Sequence, residues 1–483
     1  MNKRLFLICA VAWPTLAPAM SNPNFTPCTL TGTTPGVSVE AECSRWVVPE
    51  NREQPDGRTI ELLFARVPAV SKSPRPDPVV LLAGGPGQSA TETYPQLAGA
   101  FARLNRTRDI WLIDQRGTGG SNPLDCPYPK ETMFATPDPA LISGIARDCR
   151  ERLEREGNDL ARYTTTDYIA DLEQLREAMG VAELNLYGGS YGTRVGLEYL
   201  RRHPSAIRSA VLDGVVPPDL GLGQDHASNL DATLAQAFEQ CRTAPDCAER
   251  FDAPGRTLSR LREQLRASPQ QLTIRHPRTA APEAARLDHD LLAVVVRLYA
   301  YAPETVALLP LLLDEALAGR GEALVAQALL VAESLSDAIH MGLSMAVSCS
   351  EDAHRVRNDP QDAQRLMGQS MTQALIQQCA DWPTRPSPTG FEQPLVSEVP
   401  VLLLSGEWDP VTPPRYGERV LEGLVNGRHL VAPGQGHIVL PRGCISRLAA
   451  EFVDGLAPAE LDDSCLASLG PPPFFIDHNG PTP

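Results

Sequence analysis

Short apolar runs recur along the first half of the chain and again near residue 401, separated by segments with helical spacing of apolar positions. Arg45–Val48 and Thr59–Val67 read as two strands with a turn at Asp56-Gly57. Val79–Leu82, Ile110–Ile113, Leu184–Tyr187, Ser209–Leu212 and Val401–Leu404 read as further strands. Between two of these, Tyr168–Met179 sets Ile169, Leu172, Leu175 and Met179 on one helical stripe, with Thr166 as the expected N-cap. Strands alternating with helices predict an α/β fold built on a mostly parallel sheet flanked by helices.

From about Asp219 to Pro394 the alternation stops, and Ala- and Leu-rich helical patterns take over, as in Leu291–Leu317 and Glu322–Leu335. Arg297, Pro303, Glu304, Pro310 and Asp314 interrupt the most apolar part, which argues against a membrane span. The expected division is therefore a signal peptide over 1–19, a first part of the core over 20–218, and a large inserted helical cap over 219–394. The rest of the core follows over 395–469, and a flexible tail over 470–483, where Pro471-Pro472-Pro473 stands.

The signal-peptide reading rests on Lys3 and Arg4, the apolar run Leu5–Trp13, and the A-x-A site Ala17-Pro18-Ala19. Its removal leaves the chain two charges more negative than the formal −16 of all 483 residues. An acidic protein of this kind is not expected to bind nucleic acid, which needs a basic face. Nor is a membrane partner expected once the signal is cleaved. Eleven cysteines become ten when Cys9 leaves, an even set that in an exported, periplasmic or secreted chain reads as disulfides. Sequence neighbours suggest Cys28–Cys43, Cys126–Cys149, Cys241–Cys247, Cys349–Cys379 and Cys444–Cys465, among many other connectivities. No C-x-x-C or H-E-x-x-H occurs, so no metal site and no cofactor is expected.

The chemistry concentrates at three points. Leu184–Tyr187 runs into Gly188-Gly189-Ser190-Tyr191-Gly192 and then a helical segment to about Arg202. This is G-x-S-x-G in its strand–turn–helix setting, where a strained turn lifts the serine hydroxyl above the sheet. Serine needs a base to attack at neutral pH, and the base needs an orienting carboxylate. Asp409 follows the strand Val401–Leu404, and His437 follows Pro433-Gly434-Gln435-Gly436, giving the order Ser190, Asp409, His437. Glu407 is the rival acid, nearer its strand, and His429 the rival base, inside a strand. A tetrahedral oxyanion needs two fixed N–H donors. One is Tyr191, and the other comes from Ala83-Gly84-Gly85-Pro86-Gly87, with Gly85 preferred over Gly87.

Four motifs stand in order: Gly84-Gly85-Pro86-Gly87, Asp114-Gln115-Arg116-Gly117-Thr118-Gly119, Ala170-Asp171-Leu172-Glu173-Gln174-Leu175-Arg176 and Gly188-Gly189-Ser190-Tyr191-Gly192. Together they resemble the prolyl aminopeptidase and tripeptidyl aminopeptidase branch of the α/β-hydrolases. The end of the chain, from Cys379-Ala380-Asp381-Trp382 through His437, is similar to the C-terminal region of secreted tripeptidyl aminopeptidases. Ala83 stands where prolyl aminopeptidases usually carry His, which favours the tripeptidyl type. The resemblance implies an α/β-hydrolase fold, a helical cap over the site, and release of residues from free peptide N-termini. A carboxylesterase using the same triad is the alternative, and a binding protein without catalysis is a third reading.

An enzyme reading free N-termini needs carboxylates for the ammonium group. The expectation places them late in the cap, at Glu351 with Asp352 in reserve, fixed by a Cys349–Cys379 bridge. The oligomeric state is not encoded in any motif. The export reading predicts a mature protein that starts near Met20 and whose intact mass lacks the ten hydrogens removed by five disulfides. Ten free thiols in protein purified from its native compartment would contradict it.

Overall fold

The computed structural model describes residues 23–34, 36–126 and 139–481, so the expected signal peptide lies outside the described residues. The strands are β1 (Thr26–Thr31), β2 (Ser38–Pro49), β3 (Thr59–Val67), β4 (Val79–Leu82), β5 (Ile110–Ile113), β6 (Leu184–Gly189) and β7 (Ile207–Asp213). They continue with β8 (Gln270–Arg275), β9 (Pro282–Leu287), β10 (Val401–Gly406) and β11 (Gly427–Ala432). Nine of them form one sheet in the order β1-β2-β3-β5-β4-β6-β7-β10-β11. The first three pairings are antiparallel, and all pairings from β5 to β11 are parallel.

Val79–Leu82, Ile110–Ile113 and the start of β10 are buried throughout, because parallel strands between two helical layers have no wet face. One apolar cluster, with Leu82, Leu172, Val195, Leu212 and Leu403, fills one side of the sheet. A second, with Leu81, Tyr187, Leu402 and Phe452, fills the other. All parallel strands point their carboxyl ends the same way, and loops there converge on one crevice, as open α/β sheets require.

Between β7 and β10 the chain is mostly helical and builds its own apolar cluster around Leu230, Leu261, Leu292 and Leu313. It also contains the β8–β9 hairpin, which the helical reading of this segment did not foresee. Leu291–Leu317 is three helices, His289–Tyr299, Pro303–Val306 and Leu309–Leu317. Pro303 and Pro310 stand in the first turns of the second and third, where a proline needs no N–H partner. The helix Met341–Glu351 belongs to the sheet's own cluster, through Leu343, Ala346 and Val347. The helix Thr165–Ala178 is capped by Thr164 and not by Thr166: the Thr164 side chain accepts from the Asp167 N–H.

Within the expected tail over 470–483, the described residues include a segment that packs on the rest of the chain. Phe474 is buried in a cluster with Val306, Leu311 and Trp408, and the Phe475 N–H donates to the Ala307 carbonyl at 3.0 Å. Burying a phenylalanine outweighs the proline-rich run's lack of secondary structure. All five disulfides join the neighbouring cysteines expected from the sequence.

Candidate active site

Ser190 sits between the end of β6 and the helix Tyr191–Arg202 with φ 54° and ψ −122°, a left-handed conformation that costs a non-glycine residue energy. Its N–H donates to the Asp213 carbonyl at 2.8 Å, and its carbonyl accepts from the Thr193 hydroxyl at 2.7 Å. The turn is tight because Gly192 passes under β4: a Cβ there would lie 2.1 Å from the Leu82 carbonyl oxygen. Only glycine fits, and this is the physical content of the second glycine in the motif.

Asp409 is fully buried beyond the end of β10. Its Oδ1 accepts from the N–H groups of Val411 and Thr412, both at 2.8 Å. Its Oδ2 accepts from the Thr412 hydroxyl at 2.8 Å and faces His437 Nδ1 at 2.8 Å. Burial pushes this carboxyl up, but the His437 charge and the donors outweigh it and hold it below the usual range. For His437, burial pushes the imidazole down and Asp409 more than restores it, so its affinity for a proton is raised.

The His437 loop is pinned on both flanks. On the cap side, the His437 N–H donates to the Tyr301 carbonyl at 2.9 Å, and the Tyr301 ring meets the imidazole edge-on at 5.6 Å. On the sheet side, the buried Asp213 carboxylate accepts from the N–H groups of Val439 and Leu440 and from the Tyr187 hydroxyl. Burial raises Asp213 to about 6 in spite of these donors.

The two rivals have other duties. His429 faces Ser405 Oγ at 2.9 Å within the sheet. Glu407 accepts the Gly434 N–H at 2.7 Å and orders the loop leading to His437.

Ser190 and His437 line one cavity of about 630 Å³, together with Gly84, Gly85, and Asp225 and Arg297 from the inserted segment. Gly84 packs against the serine, its absent Cβ falling 3.3 Å from Ser190 Cβ. Gly85 holds φ 108° beside it, and Gly87 turns away to receive the His340 N–H at 2.9 Å. Tyr191 opens the helix after the serine, where the first N–H groups have no intrahelical acceptor. These N–H groups can hold an oxygen that gains charge beside Ser190.

Glu351 and Asp352 do not reach this cavity. Glu351 accepts the Thr165 N–H at 2.7 Å and the Thr165 hydroxyl at 2.9 Å, and that hydroxyl contacts the Tyr191 hydroxyl at 2.7 Å. Asp352 is clasped by Arg194 at 2.9 and 3.0 Å and receives the Leu222 N–H at 3.1 Å. Their helix packs into the sheet's core, so both carboxylates are consumed by buried donors. The carboxylate in the cavity wall is Asp225, which precedes the helix His226–Thr243 and accepts the Tyr416 hydroxyl at 2.6 Å. Its setting after Gly221-Leu222-Gly223-Gln224, where the inserted segment begins, was the available signal in the sequence. Thr412 and Asp213 could have been noticed as polar residues at or beyond strand ends, whereas Arg297 reads as an interruption of an apolar helical stretch.

Residues 77–291 match a family model described as the alpha/beta hydrolase fold, and residues 364–465 match one described as TAP-like protein. The chain is 26% identical over 482 residues to the serine protease Hip1 of Mycobacterium tuberculosis, covering 91% of this chain and 90% of that protein. It is 30% identical over 191 residues to a tripeptidyl aminopeptidase of Streptomyces lividans, covering 37% and 36% of the two chains. A proline iminopeptidase of Neisseria gonorrhoeae is 31% identical over 149 residues, or 30% of this chain and 35% of the relative. The chain has the α/β-hydrolase fold. Within that class it is similar to the prolyl and tripeptidyl aminopeptidases.

Glu351 supplies a test of its structural role. Burial and the neighbouring Asp352 push its carboxyl up against the pull of Arg194, to about 7. A carboxyl that holds its proton more tightly when folded contributes stability that is full below about pH 4.5 and lost as pH rises through about 7. The stability of the natural protein relative to Glu351→Gln should therefore fall by on the order of 3 kcal/mol across that window and level off above it. Denaturant unfolding at several pH values measures the difference, and a pH-independent difference would remove the assignment.

Proposed function

We propose that this protein is an exported serine exopeptidase that releases residues or short peptides from free peptide N-termini by acyl-enzyme hydrolysis. One observation carries the reading: a cavity with Ser190 and His437 in its walls also presents the Asp225 carboxylate, which has no cationic partner among the described residues. A carboxylate left without a cation in a capped cavity suits an ammonium group, and a peptide N-terminus brings one. The similarity to a serine protease and to aminopeptidases supports the same substrate class. The five disulfides and the apolar, positively flanked N-terminal sequence support export to the periplasm or the medium.

In this mechanism the Ser190 hydroxyl attacks the scissile carbonyl while His437 Nε2 takes its proton. Asp409 keeps the imidazole in the tautomer that can do so and stabilises the imidazolium formed. The tetrahedral oxyanion takes the N–H groups of Gly85 and Tyr191. Collapse breaks the C–N bond, and His437 returns the proton to the departing amine. A water molecule, deprotonated by His437 in turn, cleaves the acyl-serine and frees the N-terminal fragment.

Ser190→Ala should lower turnover by several orders of magnitude, because members of a triad act as a unit. A fluorophosphonate should label Ser190 alone, and more than a few per cent residual activity in pure Ser190→Ala would sink the assignment. Since Asp409 favours imidazolium, kcat/KM should rise with pH through a limb above the ordinary histidine value of about 6.5. Rate profiles whose acid limb is unmoved in Asp409→Asn would count against the pair. Asp225→Asn should lower kcat/KM for peptides with free N-termini by roughly tens- to thousands-fold, and far less for small esters. N-acetylated peptides cleaved as fast as free ones would return the protein to the carboxylesterase alternative.

A further inference from the structure

Arg297 projects into the cavity from the helix His289–Tyr299, and it is the one arginine among the described residues lining it. Its Nη2 donates to the Tyr301 hydroxyl at 2.9 Å, and its guanidinium carbon lies 5.4 Å from the centroid of the Tyr301 ring. Among the described residues no carboxylate is within ion-pair distance of it. The fully buried arginines of the protein differ in this respect: Arg108 pairs with Asp77, Arg116 with Asp171 and Arg194 with Asp352. A guanidinium held in a concave site by a neutral hydroxyl and an aromatic ring keeps most of its fork of donors for something that enters the cavity.

Its position says which part of a substrate it meets. Tyr301 joins Arg297 to the base, since its carbonyl accepts the His437 N–H and its ring lies against the imidazole. Arg297 is near enough to press protons off both His437 and His226. His226, pushed down to about 3 by burial, Arg297 and His437, is neutral at working pH and does not compete for an anion. His437 hands its proton to the departing amine, so groups beside it face the residue that follows the scissile bond.

We propose that Arg297, steadied by Tyr301, is a specificity-determining residue that binds a carboxylate on the leaving side of the scissile bond. That carboxylate is the side chain of an acidic residue following the cut or, in a short substrate with one residue left, the C-terminal carboxylate. The inference rests on the exopeptidase reading and adds a second charge to it. Asp225 meets the ammonium end, and Arg297 meets an anionic leaving fragment, so the cavity favours short peptides with charges at both ends.

The test separates binding from turnover. Full-length mature protein carrying Ser190→Ala is titrated calorimetrically with tetrapeptide amides that have free N-termini and Gln at positions 2 to 4. The same peptides are then offered with Glu at each of those positions in turn, and with a free C-terminal acid. At least one carboxylate form should bind about tenfold or more tightly than its amide counterpart. The gain should shrink to less than about threefold in Ser190→Ala/Arg297→Gln and be partly kept with Arg297→Lys, which retains the charge without the fork. The side-chain and C-terminal arms identify which source of carboxylate is bound. No carboxylate gain, or a gain that survives Arg297→Gln, overturns the proposal. Anilides with free and acetylated N-termini, turned over by the natural protein, report on the exopeptidase reading separately. Turnover of free anilides without a carboxylate gain rejects the Arg297 subsite alone, and a gain without turnover rejects the exopeptidase reading alone.

Discussion

The site depends on keeping one ionised carboxylate, Asp409, fully away from water. An isolated buried carboxylate would take up a proton, and the protein prevents this with donors fixed by the backbone. Val411 and Thr412 supply two N–H groups and a hydroxyl, leaving the remaining lone pair for His437. Because the N–H donors come from the two residues that follow Pro410, the carboxylate is held by its own loop. Any movement of that loop off the end of β10 would strand the charge. The sheet's register and the cap's contact through Tyr301 both serve this pair before they serve a substrate.

The two acidic clusters near the site differ in sign. At Asp409 the partner is a titratable imidazole, and the carboxyl is held low while the imidazole is held high. At Glu351 the neighbours are a hydroxyl, an N–H, a second carboxylate, and Arg194 at 3.9 Å, which is held more closely by Asp352, so burial wins and the group is raised. Glu351 is nonetheless tied to the site, since Thr165 links it to the Tyr191 hydroxyl, and Tyr191 follows the nucleophile. Its place is structural: it joins the helix Met341–Glu351 to the strand–turn–helix that carries Ser190.

The inserted segment contributes two charged side chains to the cavity wall. Asp225 stands at its entry from β7, and Arg297 on a helix eleven residues long near its middle. Both are charged, both line the cavity, and neither has an ion-pair partner among the described residues. Charges kept unpaired in a concave site cost stability, and that cost is offset only when a ligand of complementary charge enters.

Much of the fold was legible in the sequence, as was the gathering of the three expected site residues at one end of the sheet, because both follow from local pattern. Short, β-branched and aliphatic apolar runs such as Val79–Leu82 and Val401–Leu404, bounded by Gly and Pro, read as strands between two covered faces, and strand ends in a parallel sheet converge. Ser190, Asp409 and His437, each placed just beyond a strand, were thereby brought together in chain order. The disulfide pairing was legible for a similar reason, since each bridge closes a short local loop. What the sequence did not determine was which carboxylate faces the cavity and which faces the core. Glu351-Asp352 and Asp225 look alike as acidic residues beside helices, and only the glycine-containing entry to the inserted segment before Asp225 sets it apart. The difference lies in how the helix Met341–Glu351 packs against residues far away in the chain, with Thr165 and Arg194 waiting there as donors. Helix faces are set by local spacing, but the partner each face meets is set by the tertiary structure alone.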